Sequence, residues 1–310
     1  MRVRLIGLCA GLLLSTPAVS QSTFHFLRND IHARVAGMAG AFLAMQDDPN
    51  LLFINPAGLS TLATPRVSIG YLDYLLDINA GSIAYATSWE GLGPVGLGVQ
   101  FYHYGSFDHT DALLNTSGTF SAVDLALSAG LSHDLAPDLA VGVAITFIHS
   151  SVAEFRSSAL AFNAGVLYRI PEERLAFAAS VLHAGAQLST FNGVREALPL
   201  DVRIGITKRP EHLPVDLNLS FHRLQEEAAS LGDRLQRFSA GAEFDLSSSL
   251  RLRLGYNNQL RRELRLGTSA GLAGFSGGFG ITIGGYLVDY AFSSWGGVGG
   301  LHRIAISTAL

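Results

Sequence analysis

The chain of 310 residues has a single cysteine, Cys9, and that cysteine stands inside an apolar leader. Arg2 and Arg4 precede the apolar run 5–14, and small residues close it at Ala18-Val19-Ser20. This is the pattern of a secretory signal peptide over residues 1–20, cut before Gln21. A lipid on Cys9 would need a lipobox, and Ile6-Gly7-Leu8 is a poor one placed too early. The exported chain then has no cysteine, which excludes disulfides and a thiol nucleophile. Charge is scarce as well: 15% of residues carry it, against roughly 25% in a soluble domain. An excess of base is missing. Losing Arg2 and Arg4 takes the net charge from −4 to −6 at pH 7, which argues against a nucleic-acid partner. Beyond the leader no apolar run approaches the ~18 residues of a membrane-crossing helix. An exported chain that is 48% hydrophobic yet lacks such a helix is a soluble β-protein or a transmembrane β-barrel.

What the sequence does have is alternation. Leu139, Val141, Val143, Ile145 and Phe147 interleave with Ala140, Gly142, Ala144 and Thr146. The same dyad runs through 200–207, 213–222 and 250–257, where the second set is Asp, Asn, Ser, Thr, Arg or His with occasional Gly. Period two marks strands with one apolar and one polar face. Such runs predict about fourteen strands: 66–74, 81–88, 94–104, 119–132, 138–149, 157–168 and 174–183, then 200–208, 213–222, 236–246, 250–257, 275–283, 286–292 and 301–310. An even number suits bacterial outer-membrane barrels. The expected long connections are 105–118, 184–199, 223–235 and 258–274. The expected short ones are 134–137, 170–173, 209–212, 247–249 and 284–285. Sorting of loops by length, short at one end and long at the other, favours an all-β, fourteen-stranded antiparallel transmembrane barrel over residues 63–310.

Two hairpins support the register. A two-residue turn at Gly284-Gly285 puts Ile283 opposite Tyr286 and Ile281 opposite Val288, all outward. A three-residue turn at 247–249 sets Asp245 opposite Arg251 and Glu243 opposite Arg253, so two charge pairs point into the lumen.

Residues 33–62 break the pattern. They are apolar and rich in small residues, yet hold Asp47-Asp48 and Asn55-Pro56-Ala57. Asp48 can cap a helical turn opening at Pro49, and Asn55 another opening at Pro56. An apolar segment too short to span a bilayer needs a surface to bury against, so residues 21–62 are expected to form a plug inside the barrel. Asp47 and Asp48 must then be paired, with partners expected among Arg34, Arg203, Arg251, Arg253 and Arg303.

Enzyme-like patterns weigh little. Gly274-Phe275-Ser276-Gly277-Gly278 fits G-x-S-x-G, with Asp289 and His302 following, but no helix follows the serine as a nucleophile elbow requires. Gly91 to Gly96 fits G-x-G-x-x-G ahead of a strand, and reads as a turn. Asp108, His109 and Asp111 share a loop and read as solvated more than metal-binding. Tyr74, Trp89, Tyr104, Tyr290 and Trp295 suit interfacial aromatic girdles. Residues 225–231 have the propensity for a helical turn, though a solvated loop fits equally. No catalytic residue, metal or cofactor is expected.

At Arg34, Gly37 to Gly40, Asp47-Asp48 and Asn55-Pro56-Ala57 the chain resembles the PorV/PorQ branch of the FadL-like outer-membrane proteins. The resemblance extends to residues 261–266 and 271–281, to Asp289-Tyr290-Ala291-Phe292-Ser293 and to His302-Arg303-Ile304. Leu310 departs from the aromatic residue that ends many outer-membrane barrels. The resemblance implies a fourteen-stranded barrel in the outer membrane and a non-enzymatic part in type IX secretion. Its partners would be membrane lipid and other secretion components or a surface attachment protein. The partner-binding loops would present Phe191, Leu224, Leu260, Arg261 and Arg262. The alternative is a FadL-like channel for hydrophobic compounds.

Overall fold

The computed structural model describes residues 24–110, 116–265 and 271–310. The leader, Asp111 and Leu266 lie outside them. Fourteen strands close into one antiparallel barrel. They are β1 (Arg66–Asp73), β2 (Asn79–Trp89), β3 (Gly93–Thr110), β4 (Thr116–Ala136), β5 (Leu139–Val152), β6 (Phe155–Ile170) and β7 (Leu175–Ser189). β8 (Asp201–Lys208), β9 (Val215–Phe221), β10 (Phe238–Asp245), β11 (Leu250–Asn257), β12 (Phe275–Ile283), β13 (Tyr286–Ser294) and β14 (Gly300–Ala309) complete the wall. β14 pairs with β1, setting Ile306 against Ile69 and Ile304 against Tyr71. Closure leaves no strand edge unpaired, which a lipid-exposed sheet requires.

The period-two pattern sorts side chains as a membrane barrel needs. On β5, Val143, Ile145 and Phe147 are exposed on the outer face while Ala140, Ala144 and Thr146 are buried. Outward aromatics Phe221, Phe238, Tyr256 and Phe275 form a continuous row, with ring centroids 6.4, 6.0 and 5.0 Å apart. They make part of an aromatic girdle. Trp89 is exposed as a girdle residue should be. Tyr74, Tyr104 and Trp295 are not: they pack against the buried cluster holding Phe24, Leu72 and Leu301.

Both hairpin registers stand as the turn chemistry demands, with Ile283 opposite Tyr286, Glu243 opposite Arg253 and Asp245 opposite Arg251. Every connection at one end of the barrel is short, and the opposite end carries the long loops 190–200, 222–237 and 258–274. The stretch expected as a long loop at 105–118 is mostly strand. β3 runs to Thr110 and β4 starts at Thr116, bonded past an irregularity between His103 and Ser106. These extensions carry polar residues on both faces, so hydrophobic alternation is silent there. β5 and β6 meet with only Ala153 and Glu154 between them. The helical turn expected at 225–231 begins later, as α2 (Leu231–Leu235), because Ser230 accepts the Asp233 N–H and caps it. A further short helix, α3 (Asn258–Glu263), stands in the next long loop.

Residues 24–62 pack against the inner wall. They form a 3-10 turn (His25–Arg28), the helix α1 (Ala33–Gly37), and 3-10 turns Pro49–Phe53 and Pro56–Thr61. The helix touches β11 to β14, the turn from Pro49 touches β1 to β4, and the turn from Pro56 touches β3 to β6. Phe42, Leu43, Leu51, Leu52 and Leu59 are buried. Full burial of each contributes roughly 1.5–3 kcal/mol.

Candidate functional site

The local chemistry of residues 24–62 positions one buried chain of charge. Asp48 caps its 3-10 turn by accepting the Asn50 N–H at 2.9 Å, which leaves its second oxygen facing Arg34 at 3.0 Å. His32 caps the helix: its Nδ1 accepts the Arg34 N–H at 3.3 Å, and its Nε2 shares a hydrogen bond with Ser68 Oγ at 2.7 Å. The helix sits close to β13 and β14 because Ala33 and Ala36 pack against the equally small Ala291 and Ala305. That closeness lets Arg34 grip Glu243 with two bonds, Nε at 3.0 Å and Nη2 at 2.8 Å. Glu243 also accepts from Arg253, whose Nη1 reaches Asp289 at 2.6 Å. Asp48, Arg34, Glu243, Arg253 and Asp289 thus run from the N-terminal segment across three strands, all buried. Two oppositely charged forks on one carboxylate are the geometry that repays the desolvation of buried ions. Burial raises the Asp48 carboxyl, but the Arg34 guanidinium, His32 and the hydrogen bonds from Asn50 together outweigh it and hold the group below its ordinary value.

Asn55 is fully buried and does the same work without charge. Its Nδ2 donates to the Leu43 carbonyl at 3.1 Å and to the Val166 carbonyl of β6 at 3.2 Å, while its oxygen accepts the Ala57 N–H at 3.3 Å. The wall makes room with glycine. A Cβ at Gly165 would strike Asn55 Oδ1, and one at Gly142 would strike the Pro56–Ala57 peptide.

Toward the long-loop end the packing opens into a cavity of about 480 Å³. Ala36, Ala39 and Gly40 border it from the N-terminal segment, Tyr74, Trp295 and Leu301 from β1, β14 and their loops, and Leu260 from α3. Tyr74 and Trp295 meet edge to face at 5.5 Å. Arg28, Arg203, Arg223 and Arg303 also border it, with Asp30, Asp201 and Glu263. Apolar and cationic surfaces therefore share one chamber.

Of the residues singled out in the sequence, the fold joins Arg34, Asp48, Glu243 and Arg253 in the buried chain. It places Asn55, Pro56 and Ala57 against the glycine notch. Asp47 is elsewhere: it is exposed, in a left-handed conformation with φ 56°, and its partner is Arg66 at 3.0 Å. Its backbone reverses direction, so Asp47 and Asp48 point apart. Arg251 and Asp245 pair at 3.4 Å near the short-turn end, where Arg209 joins them at 2.6 Å from Asp245. Arg203 pairs with Asp201 at 2.8 Å, not with the segment's acids. Among the loop residues, Phe191 and Leu224 are half-buried, Arg261 lies over the Phe275 ring at 5.7 Å, and Arg262 bonds Gln236.

The hydrolase-like triple is not assembled. Ser276 and Asp289 face inward, whereas His302 faces outward and bonds Tyr290 at 2.8 Å. Adjacent residues on a strand face opposite ways, and sequence order alone does not register that across three strands. Asp108 and His109 lie on β3, and among the described residues no group of His, Cys, Asp and Glu is placed to hold a metal. Arg28, Asp30, Tyr74 and Trp295 of the cavity were not singled out for it; no periodicity marks them.

No family model and no curated protein matches the chain. Solved structures do. The Ralstonia pickettii toluene transporter TbuX is 12% identical with a TM-score of 0.59, covering 90% of this chain and 98% of its own. The Pseudomonas putida toluene transporter TodX is 13% identical with a TM-score of 0.59, covering 89% and 96%. A Pseudomonas aeruginosa FadL homologue is 9% identical with a TM-score of 0.55, covering 91% and 98%. The chain has the fold of the FadL-like outer-membrane barrels. Identity this low establishes the architecture and leaves function to the chain's own residues.

Proposed function

We propose that the protein is a non-enzymatic outer-membrane channel admitting small, mainly hydrophobic compounds, with residues 24–62 as the plug of its lumen. The observation that carries this reading is the cavity of about 480 Å³, bordered at once by barrel wall, outer loops and the plug's own Ala36, Ala39 and Gly40. A ligand there touches the element that blocks its way, so its binding free energy can bias the plug between two positions. The names of TbuX and TodX as toluene transporters support the same reading by likeness of fold.

A type IX secretion component is the second reading, supported by the resemblance at residues 33–62 and 261–281. It needs loops free for a surface partner. Leu260 instead borders the cavity, and Arg261 is engaged with Phe275 and with the Gly271 carbonyl at 3.1 Å. Deleting the gene separates the two. The uptake reading expects slowed growth on a hydrophobic carbon source with surface cargo unchanged; cargo lost from the surface with normal growth hands the function to secretion.

A further inference from the structure

Building on the uptake reading, we propose that the cavity selects compact organic acids, with a carboxylate on Arg303 and Ser276 and an apolar body against Tyr74, Trp295 and Leu301. The argument starts from a count of partners. Of the four arginines bordering the cavity, Arg28 has Glu226 at 3.2 Å, Arg203 has Asp201 at 2.8 Å and Arg223 has Glu263 at 3.2 Å. Arg303 has no carboxylate within 4.0 Å among the described residues. Its Nε donates to the Asp30 backbone carbonyl at 2.7 Å and its Nη1 to Ser293 Oγ at 3.0 Å, so the hydrogen bonds of this buried cation go to neutral groups, and the Asp30 carboxylate acts on it only from beyond 4.0 Å. A buried charge of this kind calls for a counter-ion.

Two more donors border the cavity. Ser293 is directly across the β12–β13 ladder from Ser276, whose buried hydroxyl has no hydrogen-bond partner among the described residues, and Arg28 Nε is buried without one among them too. Both residues border the same cavity. Buried donors are nearly always satisfied, so two unsatisfied ones bordering one cavity call for an acceptor there. Asp30 is the bordering acid outside any ion pair. Burial pushes its carboxyl up from the ordinary value, against the pull of Arg203 and Arg303.

The apolar side fixes what the anion is attached to. Leu72 pairs with Arg303 in the β1–β14 register, so the chain continues from there into Tyr74 next to Leu301. The head-group donors and the Tyr74–Trp295 pair are therefore neighbours. A bare anion would leave that wall wet, and a neutral hydrocarbon would leave Arg303 without a counter-ion and Ser276 Oγ and Arg28 Nε without acceptors. An acid with a small apolar body satisfies both.

Trp295 supplies the reporter. The chain has two tryptophans, so Trp89→Phe leaves Trp295 alone in the full-length protein folded in detergent. Phenylacetate, 2-phenylacetamide and acetate are titrated against its fluorescence. Phenylacetate is expected to bind at least ~10-fold tighter than either of the others. Arg303→Met should bring phenylacetate to the level of the amide while amide binding stays; Arg303→Lys should keep part of the preference, and Ser276→Ala should lose a smaller part. Equal binding of acid and amide, acetate as tight as phenylacetate, a preference that survives Arg303→Met, or no quenching by any of the three overturns the proposal. Flux of the acid and the amide into proteoliposomes is read separately. Flux without acid preference keeps the channel and removes the acid site; acid binding without flux does the reverse.

Discussion

The middle of the lumen and its mouth are built from the same residue types and reach opposite results. In the middle, Arg34 and Arg253 share Glu243 and end on Asp48 and Asp289, and glycines at 142 and 165 leave room for the Pro56–Ala57 peptide and the Asn55 side chain. At the mouth, Arg303 hydrogen-bonds neutral groups, Ser276 Oγ lacks a partner among the described residues, and a cavity of about 480 Å³ remains. In the middle, opposite charges meet in a close-packed setting, and among the described residues only Arg253 Nη2 and Asp289 Oδ2 of that chain lack a partner; at the mouth, unsatisfied groups stand beside a void that a ligand can fill. The first region holds the N-terminal segment and the second is where chemistry can be recognised.

The comparison is most open to attack at its charged centre. Glu243→Gln leaves two buried guanidiniums without their shared carboxylate and should cost about 3–5 kcal/mol. Thermal unfolding in detergent and protease cutting within residues 40–59 check it; a variant as stable and as resistant as the parent would mean that the charge chain does not hold the segment. Next comes the glycine notch. Gly142→Val should cost about 1–3 kcal/mol by overpacking against the Pro56–Ala57 peptide. Gly277→Ala is the control, since a Cβ there meets nothing closer than 3.7 Å, and the two should differ plainly in segment protection.

A smaller effect is expected from acid. The folded Asp48 carboxyl lies below its ordinary value, so its contribution is present above about pH 3.9 and fades as pH falls through the lower folded value. Melting of the parent and of Asp48→Asn should therefore converge below that range, and a gap that persists at lower pH removes Asp48 as the titrating group. The smallest change belongs to the mouth. Ser276→Ala removes a hydroxyl that has no partner and should leave stability within about 0.5 kcal/mol, or raise it slightly. A loss as large as that of Gly142→Val would show that the mouth is packed like the middle, and the contrast would be gone.

Much of the wall was legible because lipid imposes a simple rule. Val143, Ile145 and Phe147 had to face outward, and once they did, the turns at 247–249 and 284–285 left one register each. The rule ends where the hydrocarbon ends, so the outer parts of β3 and β4 passed for a loop. Within the site, Asp48 and Asn55 declared themselves as caps by standing before proline, and Asn55 kept that role while also bonding β6. Asp47 misled: sequence treats it as the twin of Asp48, but a left-handed residue turns the pair apart. Arg303 was read as a partner for the segment's acids, and what it meets is the Asp30 backbone carbonyl, 273 residues away.

The sequence by itself determined the barrel, its strand number, the side of the wall each strand residue faces and the caps of the N-terminal turns. Each follows from interactions between near neighbours or from the dielectric on either side of a strand. Which arginine found a carboxylate and which did not was decided only by tertiary structure. Closing fourteen strands around residues 24–62 brings together groups from opposite ends of the chain, and whether their charges cancel depends on distances that no local pattern encodes.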